Sequence, residues 1–244
     1  MQCAAATHIG CVRDENQDRV KIVHFGECLL AAVFDGMGGE RAGQEASRIA
    51  EEEFLMHFKK SYRTGMDSHA LRNLMISSVS AANTVIYSTA RMNYKNFGMG
   101  TTCVAAFVDE SGISVVNVGD SRAYYLADGE MKLITNDHTV VNMLLERGGI
   151  KPSDMANHPQ RHMLTKAVGA ERTVRPDYFR VDRKEEEFRL LLCSDGLSGY
   201  CGNAELQYVM EQDISARECT DQLIEMALKK GGRDNVSVAV IMQP

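Results

Sequence analysis

Three aspartates each stand beside a glycine or an asparagine at the edge of an apolar segment: Asp35, Asp195 and Asp234. Carboxylates that lack histidine or cysteine partners in a zinc-binding pattern are hard oxygen ligands, which suit Mg²⁺ or Mn²⁺ better than Zn²⁺. The Gly36 carbonyl is a further candidate ligand, because glycine lets the backbone approach closely. Two such ions about 4 Å apart lower the pKa of a bridging water and hold the oxygens of an in-line displacement at phosphorus. The sequence therefore predicts a site that hydrolyses phosphate esters.

Two other segments carry groups that suit the same chemistry. Asp120 follows another apolar segment, and three roles stay open for it: capping its own turn, pairing with Arg122, or joining the site. Arg13 offers a guanidinium suited to bidentate phosphate binding, and Asp18 offers a carboxylate that can hold a metal-bound water. Composition alone makes residues 13–18 equally typical of a solvated charged loop.

Apolar periodicity predicts the elements that hold these turns. Residues 29–34 and 188–193 are continuous apolar segments typical of buried strands, and each leads into an acidic turn. Residues 42–58 and 69–92 show the apolar spacing of helices. The remaining predicted elements are short strands at 101–108, 113–118, 123–126, 131–134 and 236–241, a short helix at 140–146, an irregular polar stretch at 151–161, and a helix that begins at Ser215 with Glu218 completing a capping box.

This order of elements favours an α+β fold. It lacks the regular alternation of strand and helix that builds a doubly wound sheet. Two antiparallel sheets packed face to face, with helices covering the outside, would bury both the apolar strands and the apolar helix faces. No Pro-rich, Ser-rich or low-complexity linker divides the 244 residues, so we expect one core.

Eight ordered segments resemble the motifs of the type-2C, metal-dependent (PPM) serine/threonine protein phosphatases in their bacterial form: GCVRDENQD, VFDGMGGERAG, GMGTT, NVGDSRAYYL, TNDHT, LTKAVGA, LLLCSDGL and GGRDNVSVAVI. The resemblance covers nearly the whole chain. It implies a four-layer α-β-β-α sandwich of two antiparallel sheets flanked by helix pairs. It also implies a single catalytic domain over 1–244, with a flap subdomain at about 140–165.

The resemblance carries metal-binding roles over to individual positions. Asp35 would bridge two ions of Mn²⁺ or Mg²⁺, and the Gly36 carbonyl would bind the second ion. Asp195 and Asp234 would bind the first ion. Asp18 would act through a water molecule.

Three more positions receive roles in the same way. Arg13 matches the phosphate-binding arginine and is, with Asp35, an expected catalytic residue. Asp120, together with Asp195, matches the ligands of a weaker third ion. Asn235 would orient the Asp234 turn. The implied reaction is hydrolysis of phosphoserine and phosphothreonine in proteins by direct attack of the hydroxide that bridges the two ions.

One position departs from the pattern. Members of animal type carry a histidine directly after the Asp-Gly pair, where it is assigned as the general acid, and this chain has Met37. His138, His158 and His162 remain as histidines that could protonate the leaving group, although a lone histidine is more often structural or solvent-exposed. A metal-bound water is the other candidate.

Composition limits the partners and the location. The net charge is −6, and the basic residues are scattered, which argues against a nucleic-acid binder. The seven cysteines form no CxxC pair and are typical of reduced thiols. With no leader and no membrane-length apolar run, we expect a cytoplasmic monomer that does not bind membranes. Its expected partners are phosphorylated proteins, including a serine/threonine kinase and the substrates of that kinase.

Two other functions are weighed against this one. Dinucleotide binding is disfavoured because Arg41 stands where the third glycine of the fingerprint should be, and because Asp35 would repel a pyrophosphate. The stronger alternative is a catalytically weak or inactive phosphatase-like protein that binds phosphoproteins as a regulator. A degenerate relative of that kind is expected to have lost a metal-binding carboxylate, and none is missing here.

Overall fold

The computed structural model of the protein describes residues 1–92, 94–182 and 187–243. Its strands are β1 (Gln2–His8), β2 (Asp18–Phe25), β3 (Cys28–Met37), β4 (Gly100–Thr101), β5 (Cys103–Asp109), β6 (Gly112–Val118), β7 (Arg122–Ala127), β8 (Glu130–Leu133), β9 (Asp177–Asp182), β10 (Phe188–Cys193) and β11 (Val236–Gln243). Its α-helices are α1 (Glu40–Ser61), α2 (Ser68–Met92), α3 (Val140–Glu146), α4 (Asp195–Ser198), α5 (Asn203–Met210) and α6 (Ala216–Lys229).

The strands form two antiparallel sheets. One sheet has the order β1-β11-β10-β7-β8. The other has the order β2-β3-β5-β6-β9, with the short β4 paired to β3. Sequence neighbours β2 and β3, and β5 and β6, pair directly, as hairpin connections between antiparallel strands allow.

Strand β3 shows why the sheets are layered. Successive side chains of a strand point to opposite faces. Leu29, Ala31 and Val33 lie in the core between the two sheets, whereas Leu30 and Phe34 lie in the core formed with α1 and α2. Both faces of β3 are therefore buried, as its continuous apolar sequence predicts.

Helices cover both outer faces. Helices α1 and α2 pack on each other and on the sheet that contains β3. Helices α5 and α6 cover the sheet that contains β11, with Leu223 of α6 buried against Val238 and its neighbours. Helix α6 begins at the predicted capping box, in which Ser215 and Glu218 satisfy each other's backbone amides. The predicted α-β-β-α sandwich of two antiparallel sheets is confirmed.

Several local expectations need correction. Strands β1, β2 and β9 and helices α4 and α5 were not assigned from the sequence, because their segments mix apolar with polar residues and lack a continuous apolar signal. The stretch expected to be irregular at 151–161 contains a 3₁₀ helix, Pro152–Asn157. The strand predicted at 101–108 is divided at Thr102, whose backbone and side chain both bond to Asp35. No helix among the described residues is long and apolar enough to cross a membrane.

Candidate metal centre

The predicted aspartates lie where strand ends from both sheets meet. In the β2–β3 hairpin, Asp18 is the direct cross-strand partner of Asp35. Asp195 is the first residue of α4 and is separated from β10 by Ser194 alone, and Asp234 lies two residues before β11. Because β10 and β11 are antiparallel neighbours, the end of one lies beside the start of the other.

The backbone around Asp35 is fixed by hydrogen bonds and by close packing. The Asp35 amide donates to Thr102 Oγ1 at 3.0 Å, and the Thr102 amide donates back to the Asp35 carbonyl at 2.8 Å. A Cβ atom on Gly36 would lie 2.1 Å from the Gly43 carbonyl oxygen and 2.8 Å from that of Gln17. Only glycine fits this position without displacing the neighbouring backbone.

Asp18 is a buried carboxylate with one satisfied oxygen. Its Oδ2 accepts a hydrogen bond of 2.7 Å from Ser194 Oγ, while Oδ1 has no partner. Burial, together with the negative charges of Asp195 and Asp234, raises the pKa of Asp18 to about 7. An unpaired buried oxygen of this kind is costly unless a water or a cation occupies the space beside it.

The other carboxylates act on one another in the same way. Burial and the charges of Asp18, Asp195, Asp120 and Asp234 raise the pKa of Asp35 well above its usual range. Burial and the charge of Asp234 raise the pKa of Asp195, and burial and the charge of Asp195 raise the pKa of Asp120. The five aspartates therefore form one electrostatic cluster, which we call the carboxylate cluster.

The carboxylate cluster fits a hard divalent cation by its chemistry. It offers carboxylate oxygens, an unpaired Asp18 oxygen and the Gly36 carbonyl, all of which suit Mg²⁺ or Mn²⁺. Within the described part of the chain, no three His, Cys, Asp or Glu side chains are gathered closely enough to hold an ion as they stand.

Arg13 lies at the edge of the cluster. Its Nη2 donates a hydrogen bond of 2.8 Å to Asp234 Oδ2, and its side chain is 56% exposed. Asn235 holds the loop that carries Arg13: its Nδ2 donates to the Ile9 carbonyl at 2.8 Å and to the Glu15 carbonyl at 2.9 Å. Residues 13–18, which could have been a solvated loop, are thus attached to the turn of Asp234.

Asp120 does not pair with Arg122, one of the roles that the sequence left open. The Arg122 guanidinium binds Asp137 instead, with Nη2 at 2.6 Å from Oδ2. The turn of Asp120 is tied to that of Asp35 through Ser121, whose hydroxyl lies 2.7 Å from Thr102 Oγ1. Asp120 therefore belongs to the carboxylate cluster rather than to a surface ion pair.

Of the three histidines considered as proton donors, two lie away from the cluster. His138 is buried, accepts a hydrogen bond from the Gly119 amide at Nδ1 and has Nε2 3.2 Å from Asp177 Oδ2. His158 is partly buried, and its Nδ1 accepts a hydrogen bond from the backbone amide of Gln160. His162 has Nδ1 3.9 Å from Asp195 Oδ2 and is the one of the three that reaches the cluster.

Sequence reasoning missed the hydroxyl groups that hold the carboxylates in place. Ser194 bonds to Asp18 through its hydroxyl, and that same hydroxyl accepts from the amide of Ser237 on β11 at 2.9 Å. The Thr102 hydroxyl positions Asp35 through its backbone, by accepting from the Asp35 amide. Their positions in the sequence could have indicated these roles, because Ser194 directly precedes Asp195 and Thr102 lies in the GMGTT segment.

The chain is similar over nearly its whole length to known protein phosphatases. The protein phosphatase 2C family matches residues 12–236 of the chain. The chain is 35% identical over 244 residues to the serine/threonine phosphatase stp of Listeria innocua, which covers 99% of this chain and 95% of that protein. It is 35% identical over 240 residues to the serine/threonine protein phosphatase PstP of Mycobacterium tuberculosis, and this match covers 98% of this chain and 44% of PstP.

The fold is also shared with solved structures. The serine/threonine phosphatase Stp1 of Staphylococcus aureus matches with a TM-score of 0.91 at 33% identity, covering 100% of this chain and 95% of that one. The family match spans the segments that contain Asp18, Asp35 and Asp234, together with every other member of the carboxylate cluster. This chain therefore belongs to the protein phosphatase 2C family of metal-dependent enzymes.

Proposed function

We propose that the protein is a phosphatase that hydrolyses phosphoserine and phosphothreonine in proteins. One observation carries the proposal: the five aspartates of the carboxylate cluster lie together, with the guanidinium of Arg13 bonded to Asp234. Cations held by the carboxylates and a guanidinium beside them would receive a phosphate dianion. The names of the relatives, which are serine/threonine phosphatases, support this substrate class.

We assign the ion-binding residues as follows. Asp35 would hold both of two ions of Mn²⁺ or Mg²⁺, the Gly36 carbonyl would hold the second, and Asp195 and Asp234 would hold the first. Asp18 would act through a water. Bound ions supply an activated water at neutral pH and neutralise the charge that develops on the phosphoryl oxygens.

A weaker third ion is assigned to Asp120 with Asp195. The support is electrostatic: the charge of Asp195 is the largest influence on the pKa of Asp120 after burial itself. Arg122 is bound to Asp137, so the carboxylate of Asp120 has no ion pair with Arg122 among the described residues.

The side chains of the chain have separate tasks in the reaction. Ser194 fixes one oxygen of Asp18, so the other oxygen is aimed to accept a hydrogen bond from a water in the cluster. Arg13 uses Nη2 for Asp234, and the guanidinium carries five N–H groups in all. The remaining donors can bind two phosphate oxygens of the substrate and orient the phosphorus for in-line attack.

We assign residues 140–165 to a flap within a single catalytic domain, 1–244. Both ends of this segment are fastened at its base. The Val140 amide donates to the Met163 carbonyl at 2.8 Å, and the Thr165 amide donates to the His138 carbonyl at 2.8 Å. The flap segment between these bonds includes His162, which faces the carboxylate cluster.

The partners proposed for the protein are phosphorylated proteins, among them a serine/threonine kinase and the substrates of that kinase, and we propose that it acts in the cytoplasm as a monomer. The alternative, a regulator that binds phosphoproteins without hydrolysis, predicts a defective metal site. All five carboxylates are present and share one cluster, which supports the enzyme over this alternative.

The test is release of phosphate from a phosphothreonine peptide by the purified protein with and without Mn²⁺. We expect release that requires Mn²⁺ and stops when a chelator is added. A matched phosphotyrosine peptide measures the preference for serine and threonine. Absence of release at every Mn²⁺ concentration, from protein with a folded circular dichroism spectrum, would sink the proposed enzyme activity.

A further inference from the structure

A cavity of about 480 Å³ begins at Met37, two residues beyond Asp35 in the chain. The opposite wall is a single stretch, residues 164–175, which contributes Leu164, Ala167 and Val174. A volume of this size is typical of a pocket that takes a small molecule or a side chain with its backbone.

The wall is firmly attached to the strand that carries Asp35. The Thr101 amide donates to the Val168 carbonyl at 3.0 Å, and the Val168 amide donates to the Thr101 carbonyl at 2.8 Å. The Thr101 hydroxyl donates to the Asp35 carbonyl at 2.9 Å. Asn83 of α2 fixes the same wall, since its Oδ1 accepts from the Gly169 amide at 2.7 Å. The cavity is therefore preformed and held in register with the carboxylate cluster.

The surface of the cavity is more apolar than polar, although Thr165, Thr173 and charged residues of both signs also line it. Met37, Leu164 and Val174 are partly exposed, so each has apolar surface to offer. Lys166 also lines it, but its Nζ lies 3.0 Å from Asp177 and is neutralised there. Exposed Glu171 and Arg175 oppose each other in charge. Recognition in this cavity thus depends on apolar contact rather than on net charge.

We propose that the cavity is the subsite for an apolar side chain of the phosphoprotein substrate, within a few residues of the phosphorylated one, and that Met37 and Val174 determine this preference. The inference rests on the proposed function. An extended peptide advances about 3.3 Å per residue, so a residue one to three positions away reaches past Met37 when the phosphate lies at Asp35. Met37 has no proton to donate, and its place in the wall gives it a different role.

The test uses the full-length protein with Mn²⁺ and a set of phosphothreonine peptides. Each peptide has alanine at the three positions on either side, except for a single leucine that is moved from one position to the next. An aryl phosphate, which has no flanking residues, is the reference substrate. We expect leucine at one position to raise kcat/KM about tenfold over the all-alanine peptide, mainly through KM, because one apolar side chain enters the cavity.

Two variants and a control connect the preference to the cavity. Met37→Ala and Val174→Ala are each expected to reduce the leucine preference to about twofold or less, measured as the ratio of kcat/KM for the two peptides. Met56→Ala removes a methionine of α1 that is 57% exposed and lies outside the cavity, and it should keep the full preference.

The outcomes separate this inference from the proposed function. If the aryl phosphate is hydrolysed and all peptides have equal kcat/KM, the proposed subsite is overturned and the proposed phosphatase activity stands. A leucine preference that survives in both cavity variants also overturns it. Hydrolysis of none of the substrates contradicts the proposed function itself.

Discussion

Asp18 is a carboxylate that no lysine, arginine or histidine neutralises within the described part of the chain, and one of its oxygens lacks any partner. Burial and the neighbouring charges raise the pKa of Asp18 to about 7, which means that the folded chain disfavours its ionised form. A buried negative charge of this kind destabilises the metal-free fold, and holding water at a metal ion is a function that needs it.

Asp18→Asn is therefore expected to stabilise the metal-free protein while reducing catalysis. Replacing the buried charge by a neutral amide removes the desolvation and repulsion, and Ser194 can still donate to the amide oxygen. A rise in Tm of about 3 °C in the presence of a chelator, with a fall of at least tenfold in kcat/KM with Mn²⁺, is the expected result. A lower Tm in the metal-free state would show that the charge of Asp18 stabilises the fold.

Asp120→Ala is expected to have a milder effect. Asp120 belongs to the proposed third ion and not to the first two, so turnover should fall while calorimetry still detects two ions binding with near-normal affinity. Asp221→Ala serves as the control, because Asp221 is an exposed carboxylate of α6 that pairs with Arg217 and lies outside the cluster. Equal loss of all ions in Asp120→Ala would place Asp120 among the primary ligands.

The elements of the fold contribute their ends to the site. Aspartates from β2, β3, α4 and two turns meet there, and hydrogen bonds between element ends set their spacing. Thr102 is central, since it bonds to the backbone of Asp35 and to the hydroxyl of Ser121. The break between β4 and β5 falls at this residue, so the interruption of a strand serves the geometry of the site.

Thr102→Val tests this role at the level of the elements. The variant keeps the shape of the side chain but leaves the Asp35 amide without its acceptor in a buried position, which costs about 1–3 kcal/mol. Urea unfolding should show this loss, together with a lower kcat. Thr84→Val, on the exposed face of α2, removes a hydroxyl bonded only to the Ser80 carbonyl and should change neither quantity appreciably. Equal effects in the two variants would refute a specific role for Thr102.

Sequence patterns predicted those parts of the fold that are determined by local burial. The apolar residues of β3 and β10 and the capping box of α6 have signals contained in their own segments. Strand β2 was missed because it is half exposed and its pairing with β3 is what stabilises it. The roles of Ser194 and Thr102 were missed for a related reason: each depends on a partner far away in the chain.

At the level of the whole molecule, buried negative charge links stability to pH. The net charge is −6, and five of the acidic groups share one cluster. For Asp18, the folded-state pKa of about 7 lies above the ordinary value of 3.8. Between these two values the folded chain binds more protons than the unfolded chain, so stability decreases as the pH rises.

The Tm of the metal-free protein should therefore be higher at pH 5.5 than at pH 7.5. Saturating Mn²⁺ is expected to raise the Tm at pH 7.5 and to reduce this difference, because cations compensate the ionised carboxylates and bind only the folded state. Differential scanning fluorimetry with chelator or Mn²⁺ measures both effects, and Asp18→Asn should show a smaller pH effect than the unmodified chain. A metal-free Tm that increases from pH 5.5 to 7.5 would contradict the burial of these charges.

The variant Asp35→Asn tests most directly whether Asp35 organises a metal site in which a phosphate ester is hydrolysed. Phosphate release from a phosphothreonine peptide is measured for this variant over a series of Mn²⁺ concentrations, beside the unmodified chain. We expect hydrolysis to fall at least a thousandfold, on the order of 4 kcal/mol, while the circular dichroism spectrum stays the same. Normal turnover by well-folded Asp35→Asn would contradict the proposed role of Asp35.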